Sequence, residues 1–224
     1  MKFNKVFCLF EQSGTFKNVF KEMGFNAYDY DIQKTENVDE ERNLFEDIEK
    51  FPICPEQTIF SKITSKDLVF AFFPCTYFSD SSQLSSRGDN YGQKNWDLKH
   101  KMLYSYHQME IRASFYKHLC LLVEIALEKG FKLVIENPYG KENFLRQFFP
   151  IKPSVIIRDR TKYSDYFKKP TQFFFINCEP SFQLERQIII PKEKRKIIQT
   201  ENGFTRSKIT PDFAKIFITD FILE

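Results

Sequence analysis

Two side chains stand where chemistry would need them. Cys75 follows Phe73-Pro74 and precedes the polar stretch SDSSQLSSRGDNYGQKNWD at 79–97. A cysteine attacks carbon as its thiolate, which favours exposure at a strand end and polar surroundings. Glu136, followed by Asn137 and Pro138, ends the apolar run FKLVI at 131–135. Desolvation there would raise the carboxyl pKa and let the group act as an acid near neutrality. A third group is Glu11-Gln12-Ser13-Gly14-Thr15, between an apolar run and a helical pattern. Small residues let the backbone approach a ligand, and the helix start offers N–H groups to a carboxylate or phosphate. Asp31 is an acid of the kind that holds ribose hydroxyls at a strand end, and Asn43 and Asp47 are candidates for an adenine edge. Plainer alternatives stand beside each: a buried structural cysteine, an outward glutamate paired with a lysine, a tight turn, a helix cap.

The elements that must position these groups alternate. Lys5–Phe10 is an apolar run of strand length, and Phe16, Val19, Phe20 and Met23 have helical spacing that stops at Gly24. Asn26–Asp31 reads as a second strand and Glu40–Lys50 as a charged helical or mixed segment. Asp67–Phe73 is continuously apolar, as a strand covered on both faces must be. Residues 79–97 read as a long loop, and 98–129 as a long helix ending at Gly130. Phe131–Ile135, Ser154–Ile157 and Gln172–Ile176 are further strand candidates. Thr210 as cap, Pro211 in the first turn and a Phe213, Ile216, Phe217, Phe221 stripe predict a last helix. Strand–helix alternation of this kind predicts a single α/β domain over 1–224, with a mostly parallel sheet and helices on both faces. Such sheets bind ligands at the carboxyl ends of their strands, so the three loaded segments converge if their strands are neighbours.

Composition narrows the classes. With 42% hydrophobic and 28% charged residues the chain reads as globular, not disordered or membrane-spanning. A net charge of +3 permits a nucleic-acid partner without demanding one. Five cysteines without a CxxC pair argue against a disulfide framework and a zinc ribbon. The apolar run before Glu11 is too short for a signal-peptide core, so a reducing, cytoplasmic setting is expected. His100, His107 and His118 lack metal-ligand spacing, and no metal is expected. The basic stretch Pro191–Lys196 reads as a solvated surface segment.

At this point the residues resemble a family. Phe10–Phe16 is similar to the cofactor loop of cytosine-C5 DNA methyltransferases. Phe73-Pro74-Cys75-Thr76-Tyr77-Phe78-Ser79 resembles their Pro-Cys-x-x-Phe-Ser motif, and Val134–Pro138 their Glu-Asn motif. Lys168–Thr171 and Arg206-Ser207 through Thr210-Pro211 more loosely resemble small phage and mobile-element members. The resemblance implies a Rossmann-like S-adenosylmethionine-dependent methyltransferase fold with its motifs in 1–140. It further implies S-adenosylmethionine bound by Phe10, Glu11, Ser13, Gly14, Thr15, Asp31, Ile32, Asn43, Asp47 and Pro74. DNA is the implied partner. A cytosine swung out of its stack would meet Cys75 at ring carbon 6 and Glu136 at the ring nitrogen. Asn137 would orient the loop, and 79–97 would close over the base. The chain departs from the pattern where Gln12 and Thr15 replace glycines and where Arg158 and Arg160 only partly match an Arg-rich motif. Residues 178–204 leave no room for a large target-recognition domain, which makes a protein partner an open expectation. Two alternatives stay open: amino-group methylation of DNA through Asn137-Pro138-Tyr139, and a methyltransferase-like module that binds nucleic acid or protein without catalysis.

Overall fold

Every residue of Leu68–Ala71 is buried, and so is every residue of Thr171–Ile176. Strands of this kind must be covered on both faces, and the computed structural model shows how; it describes residues 1–88, 90–182 and 209–223. The strands are β1 (Lys5–Leu9), β2 (Asn26–Asp31), β3 (Glu40–Glu41), β4 (Leu68–Ala71), β5 (Lys132–Pro138), β6 (Val155–Ile157) and β7 (Thr171–Ile176). They form one seven-stranded sheet in the order β3-β2-β1-β4-β5-β7-β6. All pairings from β3 through β5 are parallel; β7 runs antiparallel to both β5 and β6. The order reverses between β1 and β4, which is where a Rossmann-like sheet opens its crevice.

The helices are α1 (Thr15–Glu22), α2 (Leu44–Lys50), α3 (Asp80–Ser86), α4 (Leu98–Lys129), α5 (Phe144–Phe148) and α6 (Pro211–Phe217), the last continued by a π-helical turn over Ile218–Ile222. Period-two alternation divides the core. Phe7, Leu9, Val69 and Ala71 face a layer that holds α2 and the second half of α4. Val6, Cys8, Leu68 and Phe70 face Phe16, Val19 and Phe20 of α1 and Phe213 and Phe217 of α6. Helices therefore cover both faces of the sheet. Thr210 caps α6 by accepting from Phe213 N at 3.1 Å, and its own hydroxyl donates to Ser164 O at 2.9 Å, which ties this helix back to the domain.

Two expectations need correction, and a third resolves. Residues 79–97 are not a plain loop: α3 occupies Asp80–Ser86, and a short 3-10 turn follows at Tyr91–Gln93. The serines satisfy one another locally. Ser82 Oγ donates to Ser79 O at 2.7 Å and Ser86 Oγ to Ser82 O at 2.8 Å, so a polar run closes into a helix. The mixed reading of Glu40–Lys50 is the one that holds: the segment is a two-residue strand beside the end of β2 followed by the helix α2. Strand β5 does not stop at Ile135. The reversed strand β7 extends its ladder through Glu136↔Phe173, Asn137↔Gln172 and Pro138↔Thr171. Pro191–Lys196 and Arg206-Ser207 lie outside the described residues.

Candidate active site

A cleft of about 460 Å³ opens at the carboxyl ends of β1, β2, β4 and β5. Phe10, Glu11, Ser13, Asp31, Ile32, Asn43, Pro74, Cys75 and Glu136 all line it. The two chemically loaded segments thus face one space. Cys75 lies past the end of β4 in a turn closed by Phe78 N and Ser79 N, which donate to Cys75 O at 2.9 and 3.2 Å. Glu136 sits inside β5, held by its ladder with β7 and not by a loop. Asn137 is fully buried behind it and donates from Nδ2 to Phe73 O at 3.5 Å, a weak tether between β5 and the Pro74-Cys75 segment. Firmer ties run alongside: Phe144 N donates to Phe78 O at 2.9 Å, and Asn143 and Gln172 both donate to Pro138 O at 2.9 Å.

The charges of this half are unusual. Glu136 is buried, yet its carboxyl makes no hydrogen bond or ion pair among the described residues. Burial pushes its pKa up, while Lys169 and Arg160 pull it down. The Cys75 thiol is also raised, first by burial and then by the Glu136 carboxylate, with Lys169 opposing. The thiolate-favouring surroundings expected for Cys75 are therefore not what the free protein provides. A thiolate and a carboxylate facing one buried space repel each other, so the pair is held with at least one proton.

The other half of the cleft is partly used by the protein itself. Phe10 has a left-handed backbone, φ 60°, rare for a bulky residue. Its ring packs against Phe45 and Phe73, with centroids 5.5 and 5.2 Å away. The first N–H groups of α1 are not open to a ligand, contrary to expectation. The buried Glu11 carboxylate accepts from Phe16 N at 2.6 Å and Lys17 N at 3.1 Å. Burial raises its pKa to about 7, against the pull of those two bonds. Gly14 does not line the cleft. Its φ is 65°, and a Cβ would meet Asn37 O and Asp29 Oδ2 at 3.1 and 3.2 Å, so glycine is required for a close approach within the protein. Thr15 is likewise turned inward, its hydroxyl 2.9 Å from that of Ser13. Asp31 ends β2, accepts from Gln33 N at 2.8 Å and is raised by burial. Asn43 lines the cleft while its amide donates to Glu46 at 2.8 Å. Asp47 does not reach it. Its carboxylate binds Arg42 and accepts from Ile59 N at 2.9 Å, a local brace for the turn at 59–62.

Several residues in or behind the cleft carried no signal in the sequence reading of the site. Lys169 lines it and acts electrostatically on both Cys75 and Glu136. It lies in Lys168–Thr171, the stretch whose likeness to small phage members was the only hint. Phe45, Phe72 and Arg42 also line the cleft. Arg112 lies behind the Cys75 turn, buried, without a carboxylate partner among the described residues. Its Nε donates to Tyr77 O at 2.8 Å and its Nη2 to Ser86 Oγ at 2.9 Å, joining α4, α3 and the turn. A single arginine in a long helical pattern reads as surface, so nothing local marked it.

The cleft volume lies within the range of small-molecule pockets, with aromatic walls and an acid at the end of β2. Among the described residues no three His, Cys, Asp or Glu side chains gather as a metal site, and no helix is long and apolar enough to cross a membrane. The chain matches no family model and no curated protein.

Proposed function

We propose that this protein is a methyltransferase acting on carbon 5 of cytosine in DNA, with Cys75 as nucleophile and S-adenosylmethionine as methyl donor. One observation carries the reading: a buried carboxyl with no partner of its own, Glu136, faces the same cleft as Cys75. The chain gives this carboxyl no hydrogen bond, and an incoming base with a ring nitrogen and an exocyclic amine would supply partners from the cleft side.

On this reading Cys75 Sγ adds as its thiolate to ring carbon 6 while Glu136, holding a proton, hydrogen-bonds the ring nitrogen and stabilises the charge that develops; once carbon 5 carries the methyl group, loss of its proton to a base breaks the bond between Cys75 and carbon 6 and restores the ring. Burial is the main influence that keeps the thiol protonated; a proton on Glu136 removes the second, the carboxylate's repulsion, so base binding and thiolate formation assist one another. Lys169 favours the thiolate from the other side. Phe10, Asp31, Ile32 and Asn43 are the groups that would hold S-adenosylmethionine, which supplies a methyl group to carbon 5 when bound. The left-handed Phe10 and the Phe45 and Phe73 rings inclined against it offer an apolar wall for an adenine.

A second reading, a nucleic-acid-binding module without catalysis, draws on Glu11, whose carboxylate takes the helix N–H groups that a ligand would otherwise use. Two measurements separate the readings. Calorimetric titration with S-adenosylmethionine should give a measurable heat, and oligonucleotides carrying 5-fluorocytosine should form a covalent adduct in its presence. Cys75→Ser should abolish the adduct. An adduct that survives this substitution refutes the assignment of Cys75, and absence of both heat and adduct leaves the binding module.

A further inference from the structure

We infer that a second groove, lined by Tyr139, Lys141, Arg146, Gln147 and Arg158, receives the phosphodiester backbone of a nucleic-acid strand beside the base that enters the cleft. The inference rests on the proposed nucleic-acid substrate for its geometry. The groove has a volume of about 540 Å³ and draws its cations from three separate elements: the turn after β5, helix α5 and the stretch after β6. Lys141, Arg146 and Arg158 are exposed, and none has an acidic partner among the described residues. Other exposed cations, such as Lys66 and Lys99, are likewise without a carboxylate partner among the described residues; what sets these three apart is that they share one groove. The two acids next to these cations in sequence are engaged elsewhere: Asp159 accepts from the Thr161 N–H at 3.1 Å and its hydroxyl at 2.6 Å, and Glu142 pairs with Arg87 at 3.0 Å.

The two guanidiniums are also positioned. Arg146 and Arg158 both lie over the Tyr139 ring, 5.4 and 5.5 Å from its centroid. Tyr139 itself is fixed by its N–H, which donates to Pro170 O at 2.9 Å. Two like charges held at one ring repel each other unless an anion lies between or beside them, and the planar guanidinium fork suits a phosphate. The spacing selects a polymer over a free anion. Tyr139 follows Glu136 by three residues of near-extended chain, which places its backbone about 10 Å along the chain from that of Glu136. A strand whose base occupies the cleft has its flanking phosphates at that range.

The test is the salt dependence of binding, read by fluorescence anisotropy with labelled cytosine-containing duplex DNA and duplex RNA of the same sequence. Arg146→Gln/Arg158→Gln is compared with wild type and with Lys117→Gln, a substitution on the far exposed face of α4. Each lost phosphate contact lowers the slope of log K against log salt by about 0.9 on duplex DNA, so the double variant should lose about 2 from the slope. The Lys117→Gln slope should match wild type. An unchanged slope in the double variant, or no nucleic-acid binding by wild type, overturns the inference. The RNA and DNA arms tell which strand supplies the phosphates. Failure here stays distinct from failure of the catalytic reading. A slope change without any 5-fluorocytosine adduct supports this groove and sinks the chemistry, whereas an adduct with an unchanged slope does the reverse.

Discussion

Two buried glutamates sit one strand apart at the same end of the sheet and are treated in opposite ways. Glu11, after β1, has its carboxylate taken up by two backbone N–H groups of α1. Glu136, in β5, has no such partner among the described residues. Burial raises both pKa values. The difference teaches how to tell a structural acid from one held ready for a ligand. The first is satisfied by the chain, and the second is left short of hydrogen bonds at the wall of a cleft. Desolvation alone does not separate them.

The comparison can be broken in several ways. The largest effect is expected from Glu136→Gln, which should lower methyl transfer or adduct formation by about 10²–10³-fold. Thermal stability should not fall, since an unpartnered buried carboxyl is removed. Equal activity would make Glu136 as structural as Glu11. Next comes pH. Glu11 binds its proton more tightly folded, at about 7, than in the unfolded chain, where the ordinary value is 4.5. Its contribution to stability is therefore fully present below pH 4.5 and is lost as pH rises through 7, by roughly 3 kcal/mol if no other group compensates. Urea denaturation between pH 5 and 8 should show that decline, and Glu11→Gln should flatten it. A similar decline in Glu11→Gln would place the titration elsewhere. Glu11→Ala should cost about 2 kcal/mol at pH 6, because two buried helix N–H groups lose their acceptor. The smallest effect is expected at Arg112. Arg112→Lys keeps the charge but loses the fork between Tyr77 O and Ser86, so adduct formation should slow several-fold while the heat of S-adenosylmethionine binding stays unchanged. Loss of that heat would show that Arg112 supports the whole cleft and not the Cys75 turn.

Much of the architecture was legible in the sequence because β1, β4, β5 and β7 are wholly or largely buried and their apolar runs have strand length. The ends of α1 and α4, marked by Gly24 and Gly130, could be read for the same local reason. The convergence of Cys75 and Glu136 followed from their places at strand ends once β4 and β5 proved to be neighbours. What escaped depends on partners distant in sequence. The extension of β5 through Glu136 comes from β7, some thirty-five residues on. Nearer partners matter as well: Asp47, assigned to the ligand, is held by Arg42 and Ile59 away from the cleft, and Glu11, which does line the cleft, also caps its own helix. Lys169 and Arg112 act across the fold, and no local pattern announces that. Residues 79–97 misled because serines that close hydrogen bonds within a helix have the composition of a loop.

The central claim is that the Cys75 thiol and the Glu136 carboxyl share one electrostatic environment. The most direct test is the pH dependence of Cys75 alkylation, followed peptide by peptide by mass spectrometry in wild type and Glu136→Gln. Cys54, Cys120 and Cys178 serve as internal references. The account predicts that Cys75 titrates above the ordinary thiol range in wild type and shifts downward in Glu136→Gln, with the reference cysteines unmoved. An identical Cys75 profile in both proteins would contradict it.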